Sequence, residues 1–351
     1  MNPLRGSIRK LSILALAAFV LPLAGLAQTY SITDLGTLGG NSSGARAINA
    51  SGQITGYAYA SGNVTSDAFL YSGGKLTSLG TLGGTTGIGL AINSAGEVAG
   101  YSTLTSGNYR GFFSSNGQLT SITPLGGNYS DAEGINDAGQ VTGASSTANG
   151  ETHPYLWTNG KVKDLGTLPG GSNPGDWNTG EAVNNSGEVA GWGYGEGGFF
   201  AILWSNGKIQ NLGSLGGGLS QAFAINDLGQ ITGQAYITGG IGADAFLYDN
   251  GVMQDLGTIT SPTGGNGQYA YGFGINNSGV VVGESTYQKH PLGIVYHAFV
   301  YSGGKMQDLN ALIPKGTGWT LSTAYGINDA GQIVGYGTLN KQERGFLLTP
   351  Q

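Results

Sequence analysis

The chain has 351 residues, no cysteine, 68 glycines and 10% charged residues, whereas about 25% charged residues is typical of soluble domains. Its formal net charge of −6 has the wrong sign for binding nucleic acid through phosphates, and the lack of cysteine excludes a disulfide framework. With 39% hydrophobic residues and frequent turn signals, the composition predicts many short strands rather than disorder.

Residues 1–27 have the pattern of a secretory signal peptide. Arg5, Arg9 and Lys10 precede an apolar stretch that ends in small residues. We therefore predict a secreted, extracellular protein, with the periplasm or the cell surface as alternative destinations and an uncleaved anchor as the alternative to cleavage. No second apolar stretch of spanning length follows, so we expect no stable membrane span after signal removal.

A short motif that ends in asparagine recurs along the rest of the chain, beginning with Ala47-Ile48-Asn49. Its asparagines are Asn49, Asn93, Asn136, Asn184, Asn226, Asn276 and Asn328, at intervals of 44, 43, 48, 42, 50 and 52 residues. A period in this range is typical of repeat architectures. Residues 28–351 are therefore predicted to form a single domain of seven repeats.

Each repeat contains four strand-like pieces, which in the first repeat are 45–49, 52–57, 68–71 and 75–79. An Asn-x-x-Gly turn joins the first two pieces, and a second glycine-containing turn joins the last two, as in β-hairpins. Four antiparallel strands in a repeat of about 45 residues are typical of a propeller blade.

The two ends of the mature chain favour a closed ring. Residues 30–35 resemble a fourth piece without the first three, and residues 345–348 resemble a third piece without a fourth. Together they make one blade. The sequence therefore predicts an all-β fold, a seven-bladed β-propeller whose last blade is closed by the N-terminal strand. A β-solenoid is the alternative, although an open stack would gain nothing from this offset.

Three recurrent motifs carry a family resemblance: His297-Ala298-Phe299, Asp164-Leu165-Gly166-Thr167-Leu168 and Gly326-Ile327-Asn328-Asp329-Ala330-Gly331-Gln332. They resemble those of the HAF-repeat family of bacterial extracellular repeat proteins, over residues 30–349. Only one repeat has the literal His-Ala-Phe. The resemblance implies an exported repeat protein without a settled activity.

Loop lengths differ between repeats on one side only. The distance from the motif asparagine to the glycine that ends the second piece is seven residues in every repeat, whereas the second-to-third connection varies and is 11 residues from Gly100 to Gly111 but 15 from Gly283 to Ala298. The fourth-to-first connection varies too. In an up-and-down blade both variable connections lie on one side of the disc, here called the variable face. We predict a ligand there, with drift in long loops as the alternative.

Aromatic residues are concentrated in the variable connections, and four of them are candidate ligand-binding residues: Tyr129, Trp177, Tyr269 and Trp319. Aromatic rings with few charges around them suit sugar faces or protein surfaces. The predicted partner is therefore a carbohydrate or a cell-surface protein. Packing of these rings against the rim of the disc is the alternative.

The residue before each small-Ile-Asn triplet differs between repeats: Arg46, Leu90, Glu133, Glu181, Phe223, Phe273 and Tyr325. Because the first strand of a blade is usually innermost, we expect these residues near the channel mouth. Arg46, Glu133, Glu181 and Tyr325 are candidate ligand-binding residues. A carboxylate pair there suits acid/base chemistry on a glycosidic bond, so a polysaccharide-active glycoside hydrolase or lyase is the alternative function.

No residue is assigned as catalytic or as a metal ligand, and no cofactor is predicted. The histidines His153, His290 and His297 fall in repeats that are not neighbours, which argues against a shared metal site. We expect a monomeric binding or scaffold protein more than an enzyme.

Overall fold

The computed structural model describes residues 28–173, 175–239, 242–259, 269–290 and 293–351; the predicted signal peptide lies outside them. The described residues form 29 β-strands and one short 3₁₀ helix, Leu309–Ala311. Among them, no helix has the length and apolar character needed to cross a bilayer.

The strands form seven antiparallel blades. Blade 1 contains β2 (Gly39–Ile48), β3 (Ile54–Ala60), β4 (Ser66–Ser72) and β5 (Lys75–Gly80). Blade 2 contains β6 (Gly83–Ile92), β7 (Val98–Leu104), β8 (Tyr109–Ser115) and β9 (Gln118–Ser121). Blade 3 has an interrupted first strand, and contains β10 (Gly126–Ser130), β11 (Gly134–Ile135), β12 (Val141–Thr147), β13 (Thr152–Thr158) and β14 (Lys161–Asp164).

The remaining blades repeat this order. Blade 4 contains β15 (Thr179–Val183), β16 (Val189–Gly195), β17 (Gly198–Ser205) and β18 (Lys208–Asn211). Blade 5 contains β19 (Gly216–Ile225), β20 (Ile231–Ile237), β21 (Ala243–Asp249) and β22 (Val252–Gly257). Blade 6 contains β23 (Ala270–Ile275), β24 (Val281–His290), β25 (Gly293–Ser302) and β26 (Lys305–Asp308). Blade 7 contains β27 (Trp319–Ile327), β28 (Ile333–Leu339), β29 (Gln342–Pro350) and, from the other end of the chain, β1 (Tyr30–Asp34).

The predicted closure of the ring is confirmed. Strand β1 pairs antiparallel with β29, from Tyr30 opposite Pro350 to Asp34 opposite Phe346. Tyr30 is also buried, and its N–H donates to the carbonyl of Leu312 at 3.0 Å. Because the first and last strands share a blade, the propeller is closed and the solenoid alternative is wrong.

The first strands are longer than the sequence motif suggested. Strands β2, β6 and β19 begin at Gly39, Gly83 and Gly216, only a few residues after the preceding blade ends. Much of the fourth-to-first connection, predicted from the sequence to be a variable loop, is therefore part of the first strand in these blades. The physical reason is glycine: a Cβ at Gly40 would lie 2.6 Å from the carbonyl oxygen of Tyr59. Only a residue without a side chain lets the two strands approach so closely.

The hydrophobic core is divided among the seven contacts between neighbouring blades. Each contact has its own cluster of buried residues, including the one that joins blades 7 and 1 through Val334 and Ala45. The third strand of each blade supplies a large side chain with 1% exposure or less: Phe69, Phe112, Tyr155, Ile202, Phe246, Phe299 and Phe346. Blade-to-blade burial of this kind stabilises the ring as a whole.

A closed ring of hydrogen bonds joins the blades near the axis. The amide nitrogen of each motif asparagine donates to the main-chain carbonyl of the next motif asparagine, at 2.9 to 3.2 Å. The last bond, from Asn328 to Asn49, completes the circle at 3.1 Å. We call these seven residues the asparagine ring: Asn49, Asn93, Asn136, Asn184, Asn226, Asn276 and Asn328.

The same side chains build the tight turns. Asn136 Oδ1 accepts from the N–H groups of Ala138 and Gln140, at 3.1 and 3.0 Å, and Gly139 completes the turn with φ +70°. Its Nδ2 also donates to the side chain of Gln140 at 2.8 Å. Every polar atom of the buried amide is thus bonded, which is what burial of an amide requires. The side of the disc with these turns is called the tight-turn face.

Candidate functional site

A β-bulge in the first strand of six blades, and a break in that strand in blade 3, direct one side chain of each blade toward the axis. In blade 1, Ala45 pairs with Gly56 and Ala47 pairs with Thr55, so Arg46 has no partner in the ladder. Equivalent register shifts occur in blades 2, 4, 5, 6 and 7. In blade 3 the strand is instead interrupted between β10 and β11. Bulges often redirect side chains at functional sites.

The bulge brings the first strand very close to the second. A Cβ at Gly56 would lie 2.0 Å from the carbonyl oxygen of Gly44, and the same clash would occur at Gly100 with Ile88. Second-strand glycines of the other blades meet the same restriction: Gly191, Gly233, Gly283 and Gly335. The glycine that recurs at the end of the second sequence piece is therefore required, because any side chain there would collide with the bulged first strand.

The seven bulge residues line one cavity with a volume of about 460 Å³. They are called the bulge ring: Arg46, Leu90, Glu133, Glu181, Phe223, Phe273 and Tyr325. Their placement in the central channel agrees with the expectation from sequence. A second cavity of about 310 Å³ lies at the tight-turn face, and six of the seven motif Ile and Val residues line both. The Ile/Val layer thus separates the bulge ring from the tight-turn face.

Arg46 connects the bulge-ring cavity with another cavity of about 540 Å³, which is also lined by Ser42, Tyr57, Tyr59 and Glu343. These residues lie toward the variable face, because Ser42 comes before the bulge in its strand. The two cavities together are called the funnel. Their volumes are within the usual range for small-molecule sites.

Aromatic side chains form one wall of the funnel. Phe273 lies at its centre, with ring centroids 5.4 Å from Phe223 and 5.1 Å from Tyr325. Tyr271 is stacked beside Phe273 at 5.8 Å, and Tyr269 beside Tyr271 at 6.5 Å. Tyr269, Tyr271 and Phe273 alternate along one strand direction, so they share one side of it. Phe223, Phe273 and Tyr325 line the bulge-ring cavity, and Tyr271 and Tyr269 continue this aromatic wall from Phe273 toward the variable face.

Carboxyl groups form the opposite wall, on blades 3 and 4. Glu181 accepts a hydrogen bond from Trp192 Nε1 at 2.8 Å. Asp131 is buried and accepts from the hydroxyl of Tyr129 and the N–H of Ala144, each at 2.5 Å. Glu133 shares a side-chain hydrogen bond with Asp131. The acidic wall is therefore Asp131, Glu133 and Glu181.

Burial governs the protonation of this wall. It raises the pKa of Glu181 to about 8, assisted by the charge of Asp131 and opposed by the bond from Trp192. Burial, Asp131 and Glu181 raise the pKa of Glu133 well above its ordinary value. Burial also raises the pKa of Asp131 to about 6, against the bonds from Tyr129 and Ala144. At neutral pH Glu181 is therefore protonated, and of Asp131 and Glu181 it is Asp131 that ionises first.

The four candidates from the variable connections have different surroundings. Trp177 is 37% exposed, and its ring lies 5.1 Å from that of Tyr129, edge to face. Tyr269 belongs to the aromatic wall. Trp319 instead packs against the core of blade 7, with its ring 6.1 Å from Phe346. Trp319 thus packs against the disc, which was the alternative interpretation of the loop aromatic residues, whereas Trp177 is exposed on the variable face.

The structure adds residues that sequence reasoning did not select. Asp131 and Tyr271 lie two positions before the bulge residues Glu133 and Phe273, and Trp192 lies on the paired second strand. The period of two along a strand is the signal that points to Asp131 and Tyr271 once the bulge residues are known. Among the described residues, no group of three or more His, Asp and Glu side chains is arranged to hold a metal ion.

No family model and no curated protein matches the chain. Solved structures do match. The β-propeller domain of the Trilobed protease from Pyrococcus furiosus is similar over 92% of this chain and 95% of that chain, with a TM-score of 0.53 and 10% identity. That propeller is described as having an open velcro topology, whereas here β1 pairs with β29.

Two further structures have the same architecture. The WD40 β-propeller domain of Doa1 matches over 91% of this chain and 97% of that chain, with a TM-score of 0.50 and 12% identity. A mutant of puromycin hydrolase complexed with PGG matches over 87% of this chain but only 52% of that chain, with a TM-score of 0.54 and 12% identity. At these identities the similarity shows the propeller fold alone.

Proposed function

We propose that this protein is a secreted binding module of the HAF-repeat type, which binds a carbohydrate in the funnel of its variable face. The aromatic wall is the observation that carries the proposal. Phe273, Tyr271 and Tyr269 form a continuous run in which each ring centroid lies within 6.5 Å of the next. The apolar faces of sugar rings pack on aromatic side chains. The amino-terminal sequence pattern supports export.

The rest of the funnel supplies the polar half of such a site. Glu181 and Glu133 line the same cavity as Phe273, and Asp131 is bonded to Glu133. Tyr57 and Ser42 line the second cavity of the funnel. Hydroxyl-rich ligands need donors and acceptors that fix their orientation beside an apolar surface. A cell-surface protein is the other predicted partner, and the experiment below distinguishes the two.

Binding is to be tested with the mature protein on a panel of soluble polysaccharides, followed by titration calorimetry with the best ligand. We expect Tyr271→Ala and Phe273→Ala to weaken that binding about tenfold or more, because each removes a stacking surface. Leu228→Ala is the matched control, since Leu228 is 69% exposed in a tight turn outside the funnel. Unchanged affinity in both funnel variants, or binding to proteins but to no glycan, would contradict the proposal.

The acidic wall supports glycoside hydrolysis as the second candidate. Neighbouring carboxyl groups with separated pKa values, about 6 for Asp131 and about 8 for Glu181, are what an acid and base pair requires. Release of reducing ends from polysaccharides is the assay. Activity that is lost in Glu133→Gln or Glu181→Gln with folding intact would support this function, and activity that survives both substitutions would eliminate it.

A further inference from the structure

Arg46 is the one basic side chain that lines the funnel, in both of its described cavities. It occupies the bulge position of blade 1, where a side chain has no role in the strand ladder. The other six bulge residues are neutral or acidic: Leu90, Glu133, Glu181, Phe223, Phe273 and Tyr325. The funnel therefore has a single fixed positive charge, located where its two cavities meet.

Aromatic rings hold this guanidinium in place. Its central carbon lies 4.0 Å from the ring centroid of Tyr325 and 5.9 Å from that of Tyr57. Stacking fixes the plane of the guanidinium, which reduces the entropy lost when it binds a ligand. Tyr57 is fixed in turn, because its hydroxyl donates to Glu343 at 2.6 Å.

The protein uses only part of the hydrogen-bonding capacity of Arg46, whose guanidinium bonds to the Tyr325 hydroxyl. None of the carboxylates in the described residues forms an ion pair with it. Its Nε is buried and has no hydrogen-bond partner in the described chain. A buried N–H group without a partner is costly, and a ligand acceptor would remove that cost.

We infer that the funnel takes an acidic sugar, with Arg46 binding the carboxylate of a uronic acid unit. This inference rests on the proposed function. A guanidinium presents parallel N–H donors that match a carboxylate in a bidentate pair. The aromatic wall, with Phe273 and Tyr325, provides the apolar surface for the ring of the same sugar.

The acidic residues around Arg46 are held by other protein groups. Burial raises the pKa of Glu133 and, to about 8, that of Glu181, so Glu181 is protonated at pH 7 and can donate a hydrogen bond to a sugar oxygen. Glu343 is engaged by Tyr57 and Ser42, at 2.6 and 2.9 Å. The other acidic groups nearby are Asp131, bonded to Tyr129 and Ala144, and Glu284, bonded to Thr323.

The experiment compares two forms of one ligand, an oligogalacturonate and its fully methyl-esterified form, which differ in the carboxylate charge and in the methyl group that replaces it. Titration calorimetry is done at pH 7 with the mature protein. We expect the wild type to prefer the acidic form, and Arg46→Gln to weaken binding of that form about 10- to 100-fold while binding of the ester is unchanged. Arg46→Lys retains the positive charge but lacks the parallel N–H donors of a guanidinium, so we expect an intermediate loss of affinity for the acidic form.

Lys315→Gln is the matched control, because it removes one positive charge at an exposed position outside both cavities; we expect no change in affinity. Equal wild-type affinity for the two forms, or equal losses on both in Arg46→Gln, would overturn the inference. So would tighter binding of a polyglutamate peptide than of the oligogalacturonate. If neutral glycans bind and acidic ones do not, the inference fails while the proposed function stands. If no glycan binds, the proposed function fails as well.

Discussion

The asparagine ring and the bulge ring lie three residues apart in every blade, as Asn49 and Arg46 do in blade 1, yet they differ in composition and in hydrogen bonding. The asparagine ring is identical in all blades, buried, and bonded both to its own turn and to the next blade. The bulge ring contains five residue types, from arginine to phenylalanine, around an open cavity.

The difference reflects what the backbone demands at each position. The amide of asparagine matches a fixed set of main-chain donors and acceptors, so no other side chain serves there. The bulge removes its residue from the ladder, and the side chain meets only the cavity and its neighbours. Such positions are free to acquire the chemistry of a ligand, as expected for variable sites on a rigid scaffold.

Removal of residues 28–36 is expected to have the largest effect. It deletes β1, exposes the edge of β29, and removes the buried side chains of Tyr30 and Leu35 from the core. Because β1 joins the two ends of the chain, loss of several kcal/mol of stability and association through the open edge should follow. Thermal melts and size-exclusion chromatography provide the measurement. A monomeric product with an unchanged midpoint would refute ring closure as a stabilising device.

Asn136→Ala tests the asparagine ring. The substitution removes bonds to Asn184, Gln140 and Ala138 and leaves buried main-chain groups without partners. We expect a loss of about 2–4 kcal/mol in the free energy of unfolding. Asp137→Ala, at the exposed next position, should cost less than about 1 kcal/mol. Denaturant titrations compare them, and equal costs would mean that the ring adds nothing beyond an ordinary turn.

Glu181→Gln tests the bulge ring through the pH dependence of protein stability. The folded protein holds the Glu181 proton up to a pKa of about 8, whereas the unfolded chain releases it near a pKa of about 4.3. Between these values the unfolded state binds fewer protons, so this group lowers stability as pH rises. The melting temperature of the wild type should therefore fall more steeply than that of the variant from pH 5 to 8.

Asp131 and Glu133 carry raised pKa values in the same wall and contribute to the slope of both proteins. Glu196→Gln, at an exposed position of the same blade, is the control and should retain the wild-type slope. Parallel curves for wild type and Glu181→Gln would indicate that water in the channel solvates Glu181 as well as bulk solvent does.

Leu90→Ala is expected to have the smallest effect. Leu90 lines the bulge-ring cavity, whereas Ile92, two residues later, belongs to the core between blades 1 and 2 with 9% exposure. We expect less than about 1 kcal/mol for Leu90→Ala and about 2–4 kcal/mol for Ile92→Ala. Denaturant titrations of the two variants measure these losses in the free energy of unfolding. Similar losses would show that the bulge ring is a structural layer and not a variable site.

The fold was predictable because its signals are local and repeated. The Asn-x-x-Gly turns, the third-strand aromatic residues and the split blade at the termini each have one structural solution. The length of the first strands was not predictable, because Gly40 and its equivalents resemble loop residues unless the partner backbone is known. The placement of Arg46, Glu133 and Glu181 in the channel followed from the position of the first strand.

The surroundings of Arg46, Glu133 and Glu181 did not follow from the sequence. That Arg46 stacks on Tyr325, and that Asp131 joins Glu133 and Glu181, depends on contacts across blades and on the bulge. Trp177 and Trp319 occupy similar sequence positions before a first motif, yet one is presented on the variable face and the other packs in the core. Exposure of a loop aromatic depends on its neighbours in space, which the sequence does not specify.

Hydrogen exchange of the protein with and without its best glycan ligand locates the ligand without assuming which side chains bind it. We expect slower exchange in the funnel segments 42–46, 129–133, 177–181, 269–273 and 321–325, and no change in the Asn-x-x-Gly turns such as 49–52. Protection confined to the turns, or no protection in the funnel segments at saturating ligand, would contradict it.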